Sequence, residues 1–116
     1  MKISAMQNLL EAKVLCCEEN AERSVYSACG CDLMSDVLAY VKDQAVLLTG
    51  LVNPQVIRTA VMMDMVCIVF VRSKIPSEEM LSLARESGIV VMTTDKRLYE
   101  ACGLLYSNGL VGNKTK

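Results

Sequence analysis

The sequence contains no histidine and no tryptophan, and it has only one phenylalanine among its 116 residues. The missing imidazole excludes histidine metal sites, Ser-His-Asp and Cys-His catalysis, and any histidine general base. No apolar run reaches the roughly eighteen residues that a membrane-spanning helix needs. The longest strongly apolar stretch, residues 65–71, ends at Arg72. The net charge is only −1, which disfavours nucleic acid and acidic lipid as partners.

Apolar residues nevertheless make up 53% of the chain, so it can bury enough surface to offset the entropy of folding. The length fits one domain. We expect that domain to cover residues 1–110 and a flexible C-terminal tail to cover residues 111–116. Polar residues interrupt the N-terminus too early for a signal-peptide core. The sequence therefore predicts a cytoplasmic protein.

Six cysteines would suggest disulfides in a secreted domain, but a reducing compartment keeps them as thiols. Cys16, Cys17, Cys29 and Cys31 could together supply four thiolates to a metal ion. Neither pair has the C-x-x-C spacing that structural zinc sites favour, so a cysteine-ligated metal protein is the less favoured alternative. We expect no metal and no cofactor. The other two cysteines, at 67 and 102, lie in apolar periodic segments and are predicted to be core residues.

Helical and extended patterns alternate along the chain. The spacing of apolar residues predicts a helix over residues 3–12 and a short strand over 14–17, followed by an ambiguous extended segment over 24–31. A second helix, over residues 32–43, has Asp32 as its capping residue. Its next-turn neighbour, Asp36, is predicted to be a solvated acid.

A regular strand–helix rhythm follows. Short apolar runs at residues 45–49, 66–71 and 89–93 are typical of strands buried on both faces of a parallel sheet. The intervening helices are predicted to begin at Asn53-Pro54, at Pro76-Ser77 and at Thr94 or Asp95. We therefore expect an α/β fold: a small three-layer sandwich with a mainly parallel sheet of β-α-β units and right-handed crossovers.

The carboxyl ends of parallel strands meet at one edge, where ligands of such sheets bind. This edge carries hydroxyl groups, the exposed backbone of a glycine, a guanidinium and the start of a helix. Such groups can hold a small anion. The candidate ligand-binding residues at this edge are Thr49, Gly50, Asn53, Arg72, Thr93, Thr94, Asp32 and Asp36. The competing interpretation is structural: Asn53 and Thr94 cap helices, and Arg72 is solvated. No constellation of residues predicts catalysis, and neither a P-loop nor a G-x-G-x-x-G motif is present.

The most specific stretches of the sequence lie at residues 35–38, 48–60, 68–72 and 100–106. Through these stretches, most of the chain resembles the DRTGG domain family. The Asp-Arg of the naming motif corresponds to Glu22-Arg23, and its Thr-Gly-Gly corresponds to Tyr26-Ser27-Ala28. The Asp-Leu-x-Ser-Asp that follows is kept at residues 32–36.

The resemblance implies a fold like the N-terminal domain of HPr kinase/phosphorylase, without the kinase P-loop. Domains of this family occur alone in anaerobic bacteria and between the CBS domains of certain pyrophosphatases. They have no established activity of their own and look regulatory where they are fused to enzymes, contributing to dimerisation. By analogy with the nucleotide-responsive pyrophosphatases, an adenine nucleotide is the first ligand to consider.

The favoured hypothesis is a non-catalytic regulatory or ligand-sensing module that forms a homodimer and binds a small anion or an adenine nucleotide. The alternative is a pure protein–protein interaction module with a vestigial pocket. The homodimer is expected because a small domain has a marginal core of its own. In addition, three helical crossovers cannot cover all the apolar residues of the first half of the chain, which include Val25, Tyr26 and Tyr40. Symmetric pairing of two copies is the commonest way to bury such surface.

Overall fold

The computed structural model describes residues 1–40 and 44–111. The elements of this part of the chain are α1 (Ile3–Leu10), β1 (Lys13–Cys16), a 3-10 turn (Glu18–Asn20), β2 (Ser27–Gly30), α2 (Met34–Tyr40), β3 (Ala45–Thr49), α3 (Pro54–Met62), β4 (Cys67–Phe70), α4 (Glu78–Ser87), β5 (Val90–Thr93) and α5 (Leu98–Ser107). The predicted end of α2 at residues 41–43 and most of the predicted tail, residues 112–116, lie outside the described residues.

A single five-stranded sheet organises the molecule, in the order β1-β5-β4-β3-β2. Strands β2 to β5 pair in parallel with their neighbours. Strand β1 pairs antiparallel with β5 at one edge, where its register shifts between Val14 and Cys16. The predicted α/β fold with a mainly parallel sheet is therefore confirmed.

Helices cover both faces of this sheet. On one face α3 packs between α2 and α4, while α1 and α5 contact each other on the opposite face. Every residue of β3 and β4 is buried, as expected of strands covered on both sides. Phe70, the single phenylalanine, is the largest of the fully buried side chains. The result is a helix–sheet–helix sandwich whose core follows the two adjacent strands β3 and β4.

Two predicted helix starts are confirmed by hydrogen bonds, and backbone geometry shows how one of these helices ends. Asn53 Oδ1 accepts from the backbone N–H of Gln55 at 2.8 Å and caps α3, with Pro54 in the first turn. The hydroxyl of Ser77 accepts from the N–H of Met80 at 3.2 Å and caps α4. This helix ends at a glycine, Gly88, in the left-handed conformation with φ 70°. These local signals act within three residues, so the sequence alone reveals them.

Two other predicted caps are wrong. The N-cap position of α5 is Arg97, whose side chain makes no capping hydrogen bond with the described residues. Thr94 instead donates its hydroxyl to the carbonyl of Leu10, 84 positions away. Asp32 does not cap α2, because its carboxylate bonds the end of β3. In both cases a partner distant in sequence competes successfully with the local cap.

Burial differs from expectation at two predicted positions. Val25 is completely buried, and its N–H and C=O both bond residue 1, so it does not contribute apolar surface to a partner. Tyr26 is 67% exposed, as the homodimer argument requires, and the Tyr40 side chain lies outside what the structure describes. Cys67 is fully buried, but Cys102 is only partly buried. Across residues 1–40 and 44–111, the helices are too short or too polar to cross a membrane.

Candidate functional site

The carboxyl end of β3 is held by a side chain from the preceding crossover. Asp32 Oδ1 accepts hydrogen bonds from the hydroxyl of Thr49 at 2.7 Å and from the N–H of Gly50 at 2.8 Å. The same Thr49 oxygen accepts from the N–H of Leu51 at 3.1 Å. Thr49 is completely buried, whereas Asp32 is exposed. The carboxylate therefore closes the turn after β3 while part of it faces solvent.

Arg72, which follows β4, lies against the backbone of the same turn. A Cβ placed on Gly50 would collide with a terminal guanidinium nitrogen of Arg72 and would lie 3.2 Å from its Cζ and Nε. With a side chain at position 50, the guanidinium would have to move away from this place. Asp32, Thr49, Gly50 and Arg72 thus form one group, which we call the Gly50 cluster.

The electrostatics of the Gly50 cluster stabilise an ionised Asp32. The hydrogen bonds from Thr49 and from the Gly50 N–H lower the pKa of the Asp32 carboxyl, and the nearby Arg72 charge acts in the same direction. These effects outweigh partial burial, which alone would raise the pKa. The cluster therefore presents one carboxylate and one guanidinium at the same edge of the sheet.

The loop after β4 and the loop after β5 are tied together beside this cluster. Arg72 and Ser73 are consecutive left-handed residues, with φ values of 57° and 58°. Their N–H groups bond the carbonyls of Lys96 and Thr94, each at 2.8 Å, and the Ser73 hydroxyl donates to Asp95 at 2.6 Å. These bonds join the loop after β4 to the loop after β5, and they fix the backbone at Arg72. Ser73 and Asp95 also follow strand ends in the sequence, next to Arg72 and Thr94, but neither was among the candidate ligand-binding residues.

The two threonines at the end of β5 use their hydroxyl protons inside the fold. Thr93 donates to the carbonyl of Lys74 at 2.7 Å, and Thr94 donates to the carbonyl of Leu10 at 2.7 Å. Each hydroxyl has a single proton. In this conformation neither threonine can donate to a ligand, and both position neighbouring segments instead.

The start of α3 is similarly occupied. The side chain of Asn53 accepts a hydrogen bond from the N–H of Gln55, and its backbone carbonyl accepts one from the N–H of Val56 at 2.9 Å. Pro54 has no N–H. Two of the donors that this helix N-terminus would offer to an anion are therefore already paired, and a third is missing at Pro54. Asn53 lies at the expected edge but acts as a cap.

Asp36 lies apart from the other candidates. It is exposed on α2, and no hydrogen bond or ion pair within residues 1–40 and 44–111 joins it to the Gly50 cluster. The structure thus brings four of the eight candidate residues into one cluster. It places Thr93 at the end of β5 and Thr94 on the adjoining loop. Asn53 caps α3, and Asp36 lies exposed on α2.

A second concave feature lies at the opposite, amino edge of the parallel strands. It is a cavity of about 410 Å³ whose polar lining includes Arg23, Gln44, Asp64 and Ser87. Gln44 and Asp64 both adopt left-handed backbone conformations, and the N–H of Gln44 bonds the carbonyl of Asp64 at 3.2 Å. The carboxyl ends of the predicted strands give no indication of this cavity, because it lies at the other edge of the sheet.

The thiols do not gather into the four-cysteine set considered from the sequence. Cys16 and Cys17 lie at β1, and Cys29 and Cys31 lie at β2, and these strands form opposite edges of the sheet. Four strand spacings of about 4.8 Å put these edges roughly 19 Å apart. All six thiols are free. The described residues contain no group of three or more potential ligands positioned for a metal ion. Burial raises the pKa of Cys16 and of Cys29 to about 11 each, and neighbouring thiols add to the effect.

Residues 5–107 match the DRTGG domain family. The match spans most of the 116-residue chain and all the elements that build the sheet. The chain belongs to the DRTGG domain family. No curated protein matches it.

A solved structure has a similar fold to this DRTGG domain. It contains the CBS and DRTGG domains of the regulatory region of a Clostridium perfringens pyrophosphatase, complexed with the activator diadenosine tetraphosphate. The TM-score is 0.74 at 17% sequence identity, over 90% of this chain and 45% of the other. This DRTGG domain therefore spans less than half of the regulatory region that it resembles, and at this identity the likeness shows the fold alone.

The positions that correspond to the naming motif lie away from the Gly50 cluster. Glu22 pairs with Lys2 at 3.2 Å, and Arg23 lines the amino-edge cavity. Ser27, which stands where the motif has glycine, is buried, and its hydroxyl has no hydrogen-bond partner among the described residues. In this DRTGG domain the motif therefore belongs to β2 and the amino edge.

Proposed function

We propose that this DRTGG domain is a non-catalytic regulatory module that acts as a homodimer and binds a small anion or an adenine nucleotide at the Gly50 cluster. The observation that carries the proposal is the exposed guanidinium of Arg72, held over the bare backbone of Gly50 at the carboxyl edge. A guanidinium presents a planar fork of donors that matches phosphate and carboxylate oxygens. The free thiols of the chain fit the reducing cytoplasm.

The presence of a carboxylate, Asp32, and a guanidinium, Arg72, in the same cluster favours a nucleotide over a simple anion. Both described hydrogen bonds to Asp32 use Oδ1, so its second oxygen remains an acceptor. A nucleotide offers phosphate oxygens to the guanidinium and hydroxyl or amino protons to the carboxylate, whereas a simple anion beside Asp32 experiences repulsion. The activator bound to the pyrophosphatase regulatory region is a dinucleotide, which supports testing adenine nucleotides first.

A second candidate function is a pure protein–protein interaction module whose pocket no longer binds a ligand. The hydroxyl groups of Thr49, Thr93 and Thr94 all donate their protons to acceptors within the fold. The N–H groups of Gln55 and Val56, at the start of α3, are also bonded within the fold. This internal satisfaction favours a structural role for much of the carboxyl edge.

Thermal unfolding with AMP, ADP, ATP and diadenosine tetraphosphate separates the two functions. A ligand at a hundred times its Kd should raise the free energy of unfolding by about 2.7 kcal/mol. Arg72→Ala should weaken binding by about 1.5–3 kcal/mol, because a charge-assisted contact is lost. Arg58→Ala, which removes an exposed arginine from α3, is the matched control and should bind as the parent does.

Two results would contradict the nucleotide proposal. If no nucleotide raises the unfolding temperature, the interaction-module reading is favoured. If a nucleotide stabilises the parent and Arg72→Ala equally, the ligand binds elsewhere, and the amino-edge cavity becomes the next site to test.

A further inference from the structure

Strand β2 lies at one edge of the described sheet and pairs with β3 on its inner side. The N–H of Cys31 bonds the carbonyl of Leu48 at 3.0 Å, and Cys29 is in register with Leu47. Because backbone groups of alternate residues point to opposite sides of a strand, Cys29 bonds β3. The N–H and C=O groups of Ala28 and Gly30 point outward. In the described part of the sheet β2 pairs only with β3, so no further strand bonds these outward groups.

The two edges of the sheet differ in how they are protected. Strand β1 carries Lys13 and a register shift before Cys16, and charges and bulges are devices that prevent edge pairing. Strand β2, Ser27–Gly30, has the sequence Ser-Ala-Cys-Gly, with no charge and no proline, and its register with β3 is regular. The β2 edge is therefore open to another strand.

Apolar surface surrounds this open edge. A cavity of about 140 Å³ lies beside it, lined by Ala28, Gly30, Tyr106 and other apolar residues of β3 and α5. Tyr26 just before β2, Leu33 just before α2 and Tyr106 on α5 are 67%, 58% and 63% exposed. A strand added at β2 would bring its own flanking residues onto this surface.

We propose that two copies of this chain pair antiparallel through β2, around a two-fold axis beside Cys29, to form one continuous ten-stranded sheet. The proposal rests on the homodimer proposed above and names its interface. Ala28 would exchange both backbone hydrogen bonds with Gly30 of the partner subunit, and Gly30 with Ala28 of the partner subunit. That arrangement makes four hydrogen bonds.

The occupant is a second copy because the edge is its own complement. The outward donors and acceptors lie symmetrically on either side of Cys29, as an isologous two-fold interface requires. No residue of β2 is charged, so the axis brings no like charges directly opposite each other, which would be destabilising.

The pairing predicts which thiols can be bridged. Cys29 would face Cys29 of the partner subunit as a non-hydrogen-bonded pair, with Cα atoms about 4.5 Å apart, inside the range of about 4.4–6.8 Å for disulfides. Each Cys31 lies two residues from the axis on opposite sides. At about 3.3 Å per residue, the two Cys31 Cα atoms are roughly 13 Å apart and cannot be bridged.

Oxidation of the full chain with copper-phenanthroline, read on non-reducing gels, tests this geometry. A pH of about 9 increases the small thiolate fraction of Cys29, whose thiol reacts as the thiolate. The parent and Cys31→Ser should form covalent dimers at similar rates, and Cys29→Ser should lose them.

A backbone variant tests the same edge without thiol chemistry. Ala28→Pro removes an outward N–H and leaves the bonds between β2 and β3 in place, a position where edge strands tolerate proline. Its mass by light scattering should fall from two chains to one, while Ala28→Ser, which keeps the N–H, should remain at two.

The outcomes separate this interface from the homodimer itself. A two-chain mass with crosslinking that survives Cys29→Ser would overturn the β2 interface and leave the homodimer standing. A one-chain mass for the parent would overturn both. Loss of the crosslink in Cys29→Ser alone, together with a two-chain parent, supports pairing at β2 even if Ala28→Pro fails to fold.

Discussion

Replacing Asp32 with alanine should destabilise the domain more than an exposed carboxylate ordinarily would. The change removes the acceptor of two hydrogen bonds, from Thr49 at 2.7 Å and from Gly50 at 2.8 Å. It also leaves the hydroxyl of the completely buried Thr49 without its acceptor. Hydrogen bonds to charged groups contribute about 1.5–3 kcal/mol each to stability. Because Asp32 is exposed, solvent screening reduces each contribution to the lower limit of that range or below it. We expect a loss of about 2 kcal/mol.

Thermal unfolding followed by circular dichroism measures this loss. For a domain of this size, about 2 kcal/mol corresponds to a fall in Tm of roughly 8 °C. Asp36→Ala, at an exposed position four residues away on α2, is the control and should change stability by less than about 0.5 kcal/mol. A double-mutant cycle of Asp32→Ala with Thr49→Val should show a coupling of about 1 kcal/mol.

The same contact predicts a dependence on pH. The pKa of Asp32 is lowered in the folded state, so its stabilisation is fully present above the unfolded carboxyl pKa of about 4. It is lost as the pH falls through the folded value. The stability difference between the parent and Asp32→Asn should therefore be constant from about pH 5 to 7 and shrink at lower pH. Equal stability of Asp32→Ala and Asp36→Ala, with no coupling to Thr49, would show that the Asp32 contacts do not stabilise the domain.

Three further predictions concern packing, backbone strain and thiol access. Gly30→Ala would place a Cβ against the Sγ of Cys102. It should cost about 1–3 kcal/mol in urea unfolding, most of which Cys102→Ala should restore; no rescue would contradict that contact. Arg72→Gly should be more stable than Arg72→Ala by about 1 kcal/mol, because φ is 57° there, and equal unfolding midpoints would exclude that strain. Burial raises the pKa of the Cys67 thiol, which disfavours the reactive thiolate. Maleimide should therefore label the partly buried Cys31 before Cys67, and equal labelling rates for these two thiols would argue against the described core.

The three central strands were predictable because of where they lie. Strands β3, β4 and β5 are buried on both faces, so their sequences read as short continuous apolar runs. The antiparallel pairing of β1 with β5 could not be predicted, because strand direction depends on the path of the chain between them. The ambiguity of residues 24–31 reflects an edge strand of small residues with little apolar alternation.

The candidate site was predictable in place and less so in detail. Convergence of strand ends correctly brought Thr49, Gly50 and Arg72 to one edge, since that follows from parallel pairing alone. The role of Asp32 could not be read locally, because its partner Thr49 lies 17 residues away and an aspartate before a helix normally indicates a cap. The hydroxyl of Thr94 likewise bonds residue 10, a contact that only the folded chain creates.

Nuclear magnetic resonance titration of the ¹⁵N-labelled chain with diadenosine tetraphosphate and ATP tests the central proposal most directly, because it locates the ligand. We expect saturable shifts in the amide signals of Gly50, Arg72 and Ser73, with little change at Gln44 and Asp64 in the amino-edge cavity. Shifts confined to that cavity, or no saturable shifts with either nucleotide, would contradict a nucleotide site at the Gly50 cluster.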